Sequence, residues 1–161
     1  MLFTRTMNRH SVLLLPLAAA LASCASGPES GFTRSPKIYK LDPNELVDAA
    51  DPSIRFEQRH YLHGAVSYED QMARKGNYYT FFWRAPEQGA VKLKFDYLQA
   101  QTGFTVHSKE VQADAGDGEQ KTSIEITGEE FRKLGRVLAW RCTLYQGGRK
   151  IDTVKSAMWE N

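Results

Sequence analysis

Two runs decide the fold: Tyr78-Tyr79-Thr80-Phe81-Phe82-Trp83, and, after a turn at Pro86 to Gly89, Val91-Lys92-Leu93-Lys94-Phe95-Asp96-Tyr97. The second alternates. Val91, Leu93, Phe95 and Tyr97 fall on one face and Lys92, Lys94 and Asp96 on the other, which is the period of a half-buried strand. The first is aromatic on both faces and strand-favouring throughout. The link between them is too short for a parallel crossover, and most later links are equally short, so the strand order is antiparallel.

Outward from this pair the same period recurs. Strands are expected at Arg55–His63, Asn77–Arg84, Ala90–Ala100, Phe104–Val111, Gln120–Thr127, Arg136–Gln146 and Arg149–Glu160, seven in all. Thr122, Ile124 and Ile126 face inward, and Leu138, Trp140, Cys142 and Leu144 share one alternating face. Gly147-Gly148 is a two-residue hairpin signal, because glycines accept the positive φ of primed turns. Thr102-Gly103 turns the chain, residues 114–118 form a loop, residues 68–76 allow one helical turn, and Glu129–Lys133 allows another inside a crossover. Upstream, Asp42 suits an N-cap, Pro43 a first helical position and Glu45 the third residue of a capping box, so one short helix is expected over about 43–50, stopped by Asp51-Pro52. Residues 25–37 are rich in Ser, Gly and Pro and read as a flexible tether.

A Trp closing the second strand, a Pro soon after it and an alternating strand ending near Tyr97 resemble the second and third strands of fibronectin type III or immunoglobulin-like domains. The resemblance implies an all-β, seven-stranded antiparallel sandwich over residues 54–161. The tyrosine such domains place early in the sixth strand has no counterpart, since Phe131 and Leu134 precede Val137. Their inter-sheet disulfide has none either, because Cys142 meets no cysteine in Asn77–Arg84.

The N-terminus carries a different signal. Arg5, Arg9 and His10 precede an apolar run from Val12 to Ala22, too short to span a bilayer comfortably and interrupted by Pro16. Met7 is an alternative start to Met1 that keeps the basic segment. The run ends in Leu21-Ala22-Ser23-Cys24, which resembles the lipobox of bacterial lipoproteins. That resemblance implies a signal peptide of residues 1–23 and a mature chain beginning at Cys24, whose thiol carries diacylglycerol, followed by tether and helix to residue 53. Two or three acyl chains make such an anchor effectively permanent. Ala25 stands where an Asp would resemble an inner-membrane retention signal, so the outer membrane, facing the periplasm, is expected.

Cleavage also resets the charge. It removes two of the 21 basic residues and none of the 19 acidic ones, leaving equal numbers of each sign. A neutral domain has no electrostatic footprint for nucleic acid. With Cys24 committed to lipid, Cys142 has no disulfide partner and reads as a small buried hydrophobe.

Chemistry is sparse. His60 and His63 would point to opposite faces of a strand, so both could not easily reach one metal. His107 stands alone. Asp114, Asp117 and Glu119 surround glycines without the alternate spacing of a calcium loop and read as a turn. Glu69-Asp70 and Glu129-Glu130 are adjacent acids, not the convergent pair of a glycosidase. No serine lies in a nucleophile elbow. The expectation is a non-catalytic chain with no metal and no cofactor. Tyr78 and Phe82 point away from the core face of their strand, and Tyr145 points outward from another, so these are the candidate binding residues, unless the helix near 43–50 covers the first two with Leu46 and Val47. The leading expectation is a lipid-anchored envelope adaptor that binds another envelope protein. A carbohydrate- or peptidoglycan-binding lipoprotein is the alternative, and a hydrolase comes third.

Overall fold

The computed structural model describes residues 30–45 and 52–159. The signal segment, Cys24 and residues 46–50 of the expected helix lie outside them. Half of the described residues are strand, in two antiparallel sheets packed face to face.

The first sheet is built on β3, Gly76–Arg84. One of its edges pairs along its whole length with β6, Gln120–Thr127. The other pairs with two short strands in succession, β1 at Gly31–Phe32 and β2 at Lys37–Leu41. Gly31, Phe32 and Lys37, expected in the tether, are therefore part of the sheet. Pro36 has no N–H to give a ladder, so it splits what would be one edge strand into two. The second sheet runs β5-β4-β7-β8, with β4 at Gly89–Gln99, β5 at Val106–Ala115, β7 at Val137–Gln146 and β8 at Arg149–Lys155. The turn at Pro86 thus carries the chain from one sheet to the other, and the two diagnostic strands face each other without pairing. Gly147 and Gly148 have φ of 57° and 77°, the hairpin geometry their sequence requires.

Arg55–His63 is not a strand. It lies in α1, Pro52–Leu62. Pro52 opens this helix as its first residue, where its missing N–H costs nothing, instead of ending an earlier one. The segment lacks true alternation, and a four-residue spacing sets Glu57 and Tyr61 on one side. Glu57 pairs with Lys37, and the Tyr61 ring lies 4.8 Å from Tyr39 and 4.2 Å from Tyr78. Two one- to two-turn helices follow. α2, Tyr68–Ala73, carries a capping box in which Ser67 and Asp70 satisfy each other's backbone N–H. α3, Gly128–Leu134, links β6 to β7. Among the described residues no helix is long and apolar enough to cross a membrane.

The core lies between the sheets. Tyr79, Phe81, Trp83, Ile124 and Ile126 come from one, and Val91, Leu93, Phe95, Tyr97, Trp140, Cys142 and Leu144 from the other. Phe95 meets Tyr79 at 4.8 Å and Phe81 at 5.8 Å between ring centroids. Each such ring contributes about 1.5–3 kcal/mol by leaving water. Trp83 donates its buried Nε1–H to Thr122 Oγ1 at 2.9 Å, so its polar atom costs nothing inside. Leu138 does not share the face of Trp140. The β4–β7 register slips between Leu98 and Gln99, which partner Ala139 and Val137. Leu138 is the unpaired bulge residue and is pushed out, and Val137 takes the inward place.

The two open sides of the sandwich are each pinned by one charge. On one side Lys109, pointing inward from β5, bonds the carbonyl of Glu125 on β6 at 2.9 Å and the carboxylate of Glu130 on α3 at 2.8 Å. On the other, Asp152 of β8 accepts the N–H of Phe32 in β1 at 2.8 Å. Gly31 is needed there: a Cβ would stand 2.6 Å from the Asp152 carboxylate, and its φ is 127°.

Candidate functional site

The expected aromatic patch is dispersed. Tyr78 does point away from the core, yet only 8% of it is exposed. Tyr61 covers its ring, and its hydroxyl donates to the Arg74 carbonyl at 2.5 Å. Burial, with help from the Glu125 charge, pushes its pKa up to about 12. The cover comes from α1, a helix unlike the one anticipated near 43–50, of which residues 43–45 form a turn held by Asp42. Arg74 holds that cover down, donating to the carbonyls of Tyr61 at 3.0 Å and His63 at 2.6 Å at the end of α1. Phe82 is half-buried beneath the Arg34 guanidinium, 3.7 Å from its ring centre, and Arg34 is itself bound to Glu119 at 2.7 Å. Tyr145 lies on the outer face of the opposite sheet. It lines a groove of about 530 Å³ with Lys92, Lys94, Glu110 and Gln112. Cys24 lies outside the described residues.

The other candidates separate in the same way. His60 sits in α1 and His63 in the turn just after it, so the strand argument against a shared metal does not apply. Among the described residues, however, no three His, Cys, Asp or Glu side chains gather as ligands. His107 faces Tyr97 with ring centres 5.6 Å apart. Asp117 and Glu119 hold the turn, bound to Gln88 at 2.8 Å and to Arg34. The Cys142 thiol is fully buried, and burial above all raises its pKa, which leaves it protonated and unreactive. Hydrogen bonds and ion pairs hold Asp42, Asp70 and Glu129 below the ordinary carboxylate range, through Lys75, Ser67 and Lys133 respectively. A general acid needs the opposite shift.

One surface escaped the sequence reading. Leu98 on β4 and Val106 on the edge strand β5 are cross-strand partners and point outward together. Val106 is 53% exposed, Phe104 just before it 95%, and the bulge residue Leu138 38%. Leu138 adjoins Ala139, the partner of Leu98 on its other side. Phe104 was expected inside a strand. It lies in the loop before β5, which starts at Val106. Beside this row a polar cluster stands on the same outer face. Asp96 accepts bonds from Ser108 at 2.5 Å and Arg141 at 2.8 Å, and the Arg141 guanidinium lies 5.0 Å from the centre of the Trp159 ring. The alternation of β4 placed Leu98 outward but could not show that it would stay partly exposed among the described residues. At this end of the molecule a further groove of about 530 Å³ separates α2 from α3, with Met72, Ala73 and Phe131 between Lys75, Glu129 and Arg132.

No protein-family model matches the chain, and neither a curated protein nor a solved structure matches it.

Proposed function

We propose that this chain is a lipid-anchored adaptor of the cell envelope, held at the outer membrane through Cys24, facing the periplasm, and acting through contacts with another envelope protein rather than by catalysis. The observation that carries the reading is the apolar row on the outer face of the second sheet, Leu98 on β4, Val106 on the edge strand β5 with Phe104 before it, and Leu138 on β7. Exposed apolar side chains grouped in one patch mark contact surfaces, whereas singly scattered ones such as Phe56 and Val66 are ordinary. The free backbone groups of β5 add a ladder on which an extended segment could pair. The fold reading behind this is a fibronectin type III-like sandwich. The orders β2-β3-β6 and β4-β7-β8 correspond to the A-B-E and C-F-G orders of immunoglobulin-like domains, with β5 moved to the outer edge of β4.

A second reading has one observation in its favour. The Tyr145 groove sets an aromatic face beside Lys92, Glu110 and Gln112, the combination a carbohydrate subsite uses.

Photo-crosslinking in the intact envelope separates the two. A benzophenone residue at position 104 is expected to capture a protein, and one at position 145 is expected to stay unlinked. Glycan adducts at 145 with none at 104 would replace the first reading with the second. The anchor has its own test: Cys24→Ser should move the protein out of the membrane fraction, and retention there would exclude lipidation at Cys24.

A further inference from the structure

We infer that the sandwich meets the membrane end-on, with the tips at Pro86–Gln88 and Gly147–Gly148 against the lipid headgroups and the apolar row at Phe104 pointing away from them. This rests on the lipid anchor proposed above and adds to it the surface that faces the bilayer. The argument is one of chain length. β1 begins at Gly31, and its position is fixed on two sides, by pairing of Gly31 with Arg84 and by the bond from Phe32 N–H to Asp152. From Cys24 to the first described residue, Ser30, the chain reaches at most ~22 Å whatever its conformation. The longest strand, β4, has 11 residues and measures about 36 Å. The leash is therefore shorter than the domain, and its point of exit decides which end is near the bilayer.

Register identifies that end. Arg84 closes β3 and leads into the turn at Pro86. Gly89 partners Ala115, and Val91 partners Gln146, so the start of β4, the β5–β6 loop and the Gly147–Gly148 hairpin all lie with Gly31. Val106, Val137, α2 and α3 lie at the far end, and α1 lies on the outer face of the first sheet over Tyr39 and Tyr78. Charge supports the same contact. Arg149 and Lys150 flank the hairpin tip, and both are exposed. Of the acids at this end, Glu119 is bound by Arg34 and Asp117 by Gln88, while Glu87 and Asp114 are exposed, so the electrostatic part of the contact rests on Arg149 and Lys150 at the hairpin. Two exposed cations beside a short leash suit anionic headgroups.

The test uses the full lipidated protein in vesicles of phosphatidylethanolamine and phosphatidylglycerol that carry headgroup spin labels. Cys142 is buried, so a fluorophore is attached through Glu87→Cys or, in a second preparation, Phe104→Cys. Strong quenching at 87 and little at 104 is expected. Equal quenching, or stronger quenching at 104, in protein that floats with the vesicles overturns the orientation and leaves the anchor standing. Failure to float overturns the anchor and the orientation together. Arg149→Glu with Lys150→Glu should lower quenching at 87 by about two-fold or more, and should do so only when phosphatidylglycerol is present. Unchanged quenching would overturn the electrostatic part.

Discussion

Asp96 is the residue on which the outer face of the second sheet turns. Its carboxylate is almost fully buried. Burial alone would raise its pKa, but the bonds from Ser108 and Arg141 and the nearby Lys94 charge outweigh that and hold it below the ordinary value. A carboxyl depressed in the folded state stabilises fully above its unfolded pKa, near 4, and loses that contribution as pH falls through the lower folded value. Asp96→Asn should therefore cost about 1.5–3 kcal/mol at pH 7 in urea unfolding, and the gap from the wild type should shrink below about pH 4. A gap that stays constant down to pH 2 would contradict the assignment. Cys142, on the core side of the same sheet, makes a kinetic probe. Its thiol should resist a disulfide reagent at pH 8 in the native protein and react only at the rate of unfolding. Fast labelling without denaturant would show the core to be open. Alternation in the sequence already placed Cys142 inside. It could not place the Asp96 cluster, because Ser108 and Arg141 come from two strands that meet only across β4.

At the scale of elements, α1 is the instructive case. Its residues carry neither clean alternation nor a wide apolar stripe, and its Phe56 is exposed. What seats it on the sheet is Tyr61, between Tyr39 and Tyr78, helped by the Glu57–Lys37 ion pair, with Arg74 bound to its last carbonyls. Each aromatic pair contributes about 0.5–1.5 kcal/mol beyond its buried area. Tyr61→Ala should release α1 while the sheets persist. Backbone amides of residues 56–62 should then exchange with solvent markedly faster, and those of β3 and β4 should not change. Uniform acceleration would mean that α1 and the sandwich unfold as one unit. The strands with strong patterning, β3, β4, β6 and the β7–β8 hairpin, were legible because period and turn residues agree locally. α1, β1 and β2 were not, because their partners are distant in sequence: Tyr61 is fixed by Tyr39 and Tyr78, and Gly31 by Arg84 and Asp152. Bulges have the same origin. Nothing local to Leu138 announces that β4 slips against β7 beside it.

For the whole molecule, the question is what keeps two sheets in one relation. The aromatic core supplies most of the energy, and Lys109 and Asp152 close opposite sides at a more modest cost if lost. Lys109→Ala should destabilise by about 1 kcal/mol and Asp152→Ala by about 1–2 kcal/mol. β5 and β8 are opposite edges of a four-stranded sheet, about 14 Å apart. The double variant should therefore equal the sum within about 0.5 kcal/mol by chemical denaturation, and a larger deviation would mean the two sides are coupled through the core. The sequence by itself determined the strand character of the chain, its antiparallel order, the inward set of aromatic residues and the expectation of an anchor at Cys24, because each of these follows from local period, turn chemistry or a contiguous motif. Only the tertiary structure decided that Tyr78 is covered, that Phe104, Val106 and Leu138 are left bare among the described residues, and that a strand begins at Gly31. Exposure depends on what the rest of the chain brings to a surface, and no local pattern encodes that.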